Sequence, residues 1–201
     1  MPSHLFVDES RRRDYLLCVA VIAPAELGAA RAALRRMLLG GQRRVHFVDE
    51  SDARRRTILA TITSLELRAR VYQTRSTDDV AARAITLSAL VKDLAPAAER
   101  LVIESRSDRD RDDRQLLVQL RHSGAFGDGL RYEHLQAHEE PLLWVADALA
   151  WCVGAGSLWR PLVEPVLDDV RTILPDAQNP AAPRPGRGRA PLPSAQRTRR
   201  R

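Results

Sequence analysis

Two stretches, His4-Leu5-Phe6-Val7-Asp8-Glu9-Ser10 and Tyr15-Leu16-Leu17-Cys18-Val19-Ala20-Val21-Ile22, decide how this chain is read. Within them Leu5 to Val7 and Tyr15 to Ile22 read as strands, and the charged connection Glu9 to Asp14 between them makes an antiparallel pair the natural arrangement. The first strand delivers Asp8 at its C-terminal end. A carboxylate placed there can hold a hard metal ion over a sheet.

Working outward, Pro24 opens a helix over Ala25 to Leu39, with Leu27, Ala30, Leu34 and Leu38 on one face and Gly40-Gly41 as its stop. Val45 to Val48 reads as a short strand. Ser51 caps a helix to about Ser64 that carries Ile58, Leu59 and Ile62 at helical spacing. Leu65 to Gln73 alternates as a strand, and Thr77 or Asp78 caps a helix that ends by Pro96. Arg100 to Glu104 is a short apolar strand with a carboxylate at its end, the pattern of a central strand covered on both faces.

Residues 111 to 122 read as helix, Gly124, Gly127 and Gly129 as a loop, and Leu130 to Leu135 as a further strand. A buried helix starts after Pro141, and another is expected from Pro161 to Ile173. Strands alternating with helices predict an α/β domain. The N-terminal antiparallel hairpin makes its sheet mixed, with flanking helices. Phe-Val-Asp-Glu-Ser occurs at 6–10 and again at 47–51, but the flanking sequences differ, so no duplication is implied.

The length, 201 residues, suits one sizeable core, expected to span residues 1–175. The net charge of +6 is uneven: residues 176–201 hold seven Arg and one acid, which leaves 25 basic and 25 acidic residues before them. That basic, Pro- and Arg-rich tail has too little apolar surface to offset its ordering entropy and is expected to be disordered. It is either a nonspecific grip on nucleic acid through counterion release or a solvated extension. Cys18 and Cys152 lie in apolar runs and read as core thiols in a reducing compartment.

No signal peptide is apparent, and the expected location is cytoplasmic. Leu142 to Trp159 approaches membrane-spanning length, but Asp147 near its middle and Gly154 and Gly156 favour a helix buried in a soluble domain. No phosphate-cradling Gly-x-x-x-x-Gly-Lys loop, dinucleotide-binding Gly-x-Gly-x-x-Gly turn or Gly-x-Ser-x-Gly elbow is present. P-loop nucleotide hydrolysis and serine-hydrolase chemistry are thereby disfavoured.

Three acids are embedded in apolar sequence: Asp8 after Leu-Phe-Val, Glu104 after Leu-Val-Ile, and Asp147 in the Trp144 to Cys152 helix. A buried carboxylate needs a cation or hydrogen-bond donors, and one shared divalent metal would serve all three. Asp147 has no Lys or Arg three or four residues away, so its partner must come from elsewhere. Taken singly, each acid could instead meet an arginine, since the chain has 32 basic residues and Lys92 is the only lysine. Glu9 and Asp108 are possible additional ligands. His46 could orient a water or merely pack, and His134 with His138 has a spacing that binds zinc only on a helix, which the loop context opposes.

The Phe-Val-Asp-Glu-Ser strand with its apolar partner, the Val-Ile-Glu strand end and the Leu-Leu-Trp-Val-Ala-Asp-Ala-Leu-Ala helix together resemble the family called domain of unknown function 3800. The similarity of pattern runs from residue 4 to about 170. The resemblance implies a ribonuclease-H-like fold in which Asp8, Glu104 and Asp147 form the catalytic, metal-holding acid set. It implies hydrolysis of a phosphodiester in DNA or RNA with Mg²⁺ or Mn²⁺, Asp8 bridging the ions. Family members usually continue Asp-Glu-Ser with Gly, whereas this chain has Arg11, Arg12 and Arg13, which could meet a phosphate backbone.

The expected activity is therefore that of a metal-dependent nuclease. The rival readings are a catalytically silent module of the same fold that binds nucleic acid or a protein partner, and a small-molecule phosphohydrolase. The first requires Asp8, Glu104 and Asp147 to converge at the C-terminal edge of the sheet.

Overall fold

The structure is a computed structural model that describes residues 3–174; the tail expected at 176–201 lies outside them. Eleven elements form it. The strands are β1 (Ser3–Arg11), β2 (Tyr15–Ile22), β3 (Leu67–Thr74), β4 (Ala98–Glu104), β5 (Arg131–Leu135) and β6 (Leu167–Thr172). The helices are α1 (Leu27–Arg36), α2 (Asp52–Thr63), α3 (Asp79–Leu94), α4 (Asp110–His122) and α5 (Leu142–Ala155).

The six strands form one mixed sheet in the order β5-β4-β1-β2-β3-β6. β1 and β2 make the expected antiparallel pair, with Asp8 opposite Cys18. β1 also pairs in parallel with β4, placing Val7 opposite Ile103. β2 alone runs against its neighbours among the described strands.

Alternation along β1 sorts its side chains. Phe6 joins Cys18, Val102 and the apolar residues of α1, α2 and α5 on one face, while Leu5 and Val7 join α3 and α4 on the other. β1 is buried on both sides, which is why its core reads as a continuous apolar run. Eleven of the 14 residues of α5 are buried, so this helix lacks a polar face on which a carboxylate could be solvated. Cys18 and Cys152 are buried free thiols. Among the described residues no helix is long and apolar enough to cross a membrane.

Local chemistry explains the helix starts. Ser51 Oγ accepts from the Arg54 N–H at 3.3 Å, and Asp78 Oδ1 accepts from Val80 and Ala81.

Two expected elements are corrected. Val45–Val48 is not a strand: Val45 is a buried loop residue, and Phe47–Asp49 forms a 3-10 turn whose Phe47 side chain inserts into the core. Pro161–Ile173 is not a helix. Pro165 would remove an N–H inside it and clash with the preceding turn. The chain makes two 3-10 turns, Arg160–Leu162 and Glu164–Val166, then becomes β6 parallel to β3. The second Phe-Val-Asp-Glu-Ser thus adopts a conformation unlike the first, as its flanks suggested.

Candidate active site

β1 and β4 run side by side, and one step beyond the Val7–Ile103 pair stand Asp8 and Glu104. Glu104 ends β4, whereas β1 continues past Asp8 to Arg11 along β2 and so is longer than the sequence implied. Asp8 and Glu104 continue the alternation of Phe6 and Val102, so both project toward the face on which α5 packs. Asp147 enters from α5. The three carboxylates line one cavity of about 230 Å³ at the C-terminal edge of the central strands, together with Arg44, His46 and Arg106.

Each acid is held. Asp8 Oδ1 accepts from the Glu9 N–H at 2.7 Å, and Asp147 Oδ2 accepts from the Phe47 N–H at 3.0 Å. Glu104 Oε1 lies 3.3 Å from Arg44 Nη1. Burial first, then the hydrogen bond and charge of Glu104, then the charges of Glu9 and Asp147, push the Asp8 carboxyl well above the usual carboxylate range. Burial also raises Asp147, against the Phe47 N–H and the charges of His46 and Arg44, which lower it. The three acids themselves offer only oxygen as ligand atoms, a set suited to a hard cation.

His46 lies at the rim with Nδ1 2.7 Å from Asp49 Oδ2, which fixes the ring and leaves Nε2 free of that contact. The remaining candidates go elsewhere. Glu9 points to the opposite face, where its carboxylate takes Arg83 Nη1 at 2.6 Å and Arg106 Nε at 2.8 Å. Both of its oxygens are engaged, so it is no spare ligand.

His134 lies on the same face as Glu9, with Nε2 3.1 Å from Asp113 Oδ2 in a buried network that includes Arg83. It sits on a strand, so the four-residue spacing to His138 makes no helical zinc pair. Asp108 is exposed, pairs with Arg109 at 3.3 Å, and lines a separate cavity of about 140 Å³ with Arg11, Tyr15 and Arg83.

The three consecutive arginines diverge. Arg11 is neutralised by Asp79 at 2.6 Å and donates to the Ser76 carbonyl. Arg12 turns the other way, with its guanidinium carbon 4.4 Å from the centre of the Trp151 ring. Arg13 is exposed in the turn. Trp151 also receives Arg55 at 4.4 Å and stacks edge-on with Phe47 and Trp159.

Sequence reasoning missed Arg44, Arg106 and Arg83. In a chain this rich in arginine, their type carried no signal, and none has a spacing that ties it to the acids.

No protein-family model matches the chain, and no curated protein matches it significantly. Its backbone is similar to ribonuclease H2 from Pyrococcus horikoshii OT3, with TM-score 0.52 and 15% identity over 74% of this chain and 70% of that one. A mutant of Bst-RNase HIII gives TM-score 0.48 and 17% identity over 77% of this chain and 52% of that one. The RNase HII structure from Archaeoglobus fulgidus, solved as a PCNA complex, gives 0.45 and 16% over 75% and 70%. The fold is ribonuclease-H-like: a mixed six-stranded sheet with flanking helices.

Proposed function

We propose that the protein is a divalent-metal-dependent phosphodiester hydrolase acting on DNA or RNA, with Asp8, Glu104 and Asp147 as its metal-holding acids. The observation that carries this reading is the shared cavity of three carboxylates, two from adjacent strands and one from α5, in which burial and then the neighbouring acids raise Asp8. Clustered buried carboxylates are costly without a cation, and a protein that keeps them has a use for one. The resemblance to the domain-of-unknown-function 3800 family and the fold both fit this reading, although fold alone does not fix an activity.

Mg²⁺ or Mn²⁺, when bound, would supply a more acidic water for attack and charge to stabilise the leaving oxygen. The chain's own part is positioning. The Glu9 and Phe47 N–H groups hold the Asp8 and Asp147 carboxylates. Arg44 and Arg106 at the rim can hold phosphate oxygens on either side of the scissile bond. His46, oriented by Asp49, is placed to accept or return a proton through Nε2.

A second reading has one observation in its favour. Among the described residues no three His, Cys, Asp or Glu side chains stand as an assembled metal group, each acid being met by a protein donor instead. That arrangement suits a catalytically silent module that binds nucleic acid or a protein.

The two separate in a cleavage assay. Labelled DNA, RNA and hybrid substrates are incubated with wild type, Asp8→Asn and Asp147→Asn in Mg²⁺ or Mn²⁺. Cleavage by wild type alone supports the hydrolase. Stable wild-type protein that binds the strands but cuts none supports the silent module.

A further inference from the structure

Arg44 is the guanidinium that meets Glu104 in the cavity, at 3.3 Å, and this is its one ion pair among the described residues. Residues on both sides of it anchor the loop through their side chains. Gln42 bonds to the Leu39 N–H at 3.0 Å and to Glu50 at 3.2 Å, and Val45 is buried at 2% exposure. The side chain itself is 43% exposed and has no second partner among those residues, so it can leave Glu104 by rotation alone without moving the loop. A long, part-exposed ion pair of this kind holds weakly.

From this geometry we infer that Arg44 is a two-position residue. It neutralises Glu104 while the site lacks a divalent cation, and it transfers to a strand phosphate when the cation takes that carboxylate. The inference rests on the proposed metal site and extends it. Metal and Arg44 compete for the same oxygen, whereas strand and metal do not, so a strand that draws Arg44 away must tighten the metal. By linkage the metal must tighten the strand by the same factor. Arginine suits the exchange because its planar fork matches carboxylate and phosphate alike. Arg106 cannot play this part, because its Nε is committed to Glu9 at 2.8 Å.

The test is Mn²⁺ affinity, measured by calorimetry on the full chain at one pH and salt concentration. Wild type, Arg44→Ala and Arg43→Ala are compared, each with and without a nuclease-resistant phosphorothioate duplex. Arg43 is an exposed neighbour on the same loop, and its removal controls for the lost charge alone. Arg44→Ala is expected to bind Mn²⁺ about two- to fivefold more tightly than wild type, the range an exposed pair allows. Arg43→Ala should stay near wild type. Addition of the duplex should tighten Mn²⁺ binding in wild type and not in Arg44→Ala.

Equal Mn²⁺ affinity in wild type and Arg44→Ala overturns the exchange while leaving the metal site standing. An equal gain from the duplex in both overturns the transfer to the strand. If none of the three proteins binds Mn²⁺, the metal site itself falls and the exchange falls with it.

Discussion

Arg83 Nη1 lies 2.6 Å from Glu9 Oε2, with side-chain exposures of 5% and 7%, and the same guanidinium grips Asp113 at 2.7 Å. A charge removed this far from water is tolerated only because two carboxylates share it, and they in turn depend on it. The pairing joins α3 and α4 to the strand that carries Asp8, directly behind the candidate site.

Arg83→Ala leaves Glu9 and Asp113 buried with their main cation gone. The expected destabilisation is about 3 to 5 kcal/mol, the usual cost of breaking a buried pair from one side. Urea unfolding measures it. A loss below about 1 kcal/mol would show that Arg106 and His134 suffice. Arg83→Met with Glu9→Gln and Asp113→Asn should recover part of the loss, because no unpaired charge remains.

The pH dependence has two opposed limbs. Asp8 has a folded pKa above its ordinary value, so its contribution is fully present below the ordinary carboxylate range and is lost as pH rises through the raised value. Asp113 is the reverse. Against burial, which raises it, hydrogen bonds from His134 and Arg83 hold it low, and its contribution is lost as pH falls through that lowered value. Burial raises Asp147 as well, so Asp147 shares this first limb. In metal-free buffer Asp8→Asn should make the first limb shallower, leave the second unchanged and raise the melting temperature at neutral pH. A melting curve for Asp8→Asn that still falls with rising pH as steeply as wild type would locate the strain elsewhere.

Gly154 faces the hairpin from α5. A Cβ there would lie 2.8 Å from Leu16 Cδ1 and 3.2 Å from Arg12 Cδ. Alanine in a helix gains about 0.5 to 1 kcal/mol over glycine, but forcing a methyl against a buried side chain costs about 1 to 3. Leu16 is buried and has little room to yield, so overpacking wins. Gly154→Ala should lose about 1 kcal/mol in chemical unfolding. A gain in stability would mean that Leu16 repacks freely.

The hairpin, β4 and α5 were legible because each is an apolar run too long or too continuous to be anything but core, and an acid inside such a run stands out. Residues 45–48 and 161–173 were not legible, because short apolar runs carry no decisive period. Val45-His46-Phe47-Val48 fits a strand or a turn equally until Phe47 is seen inserted beside α5. The face on which His134 falls follows from its pairing opposite Ile103, a register that no local pattern in β5 encodes. Arg44 meets Glu104 across 60 residues, and Arg83 meets Glu9 across 74. Such contacts are products of topology, and one arginine among so many gives no hint of them.

The last prediction separates the three consecutive arginines, which share a sequence context and not an environment. Arg11 is already paired with Asp79 and bonded to the Ser76 carbonyl, so its charge is largely spent inside the protein. Arg12 is exposed, rests on Trp151, and has no carboxylate partner among the described residues. A guanidinium on an indole keeps its charge and its outer N–H groups for a phosphate. Arg12→Gln should therefore weaken binding to duplexes of any sequence and lower the slope of log affinity against log salt by about 0.9, the share of one phosphate that is no longer neutralised. Arg11→Gln should leave that slope near the wild-type value. The comparison is a binding titration of wild type and both variants across a salt series with Mg²⁺ omitted. Equal slopes for all three would remove the hairpin from the nucleic-acid interface.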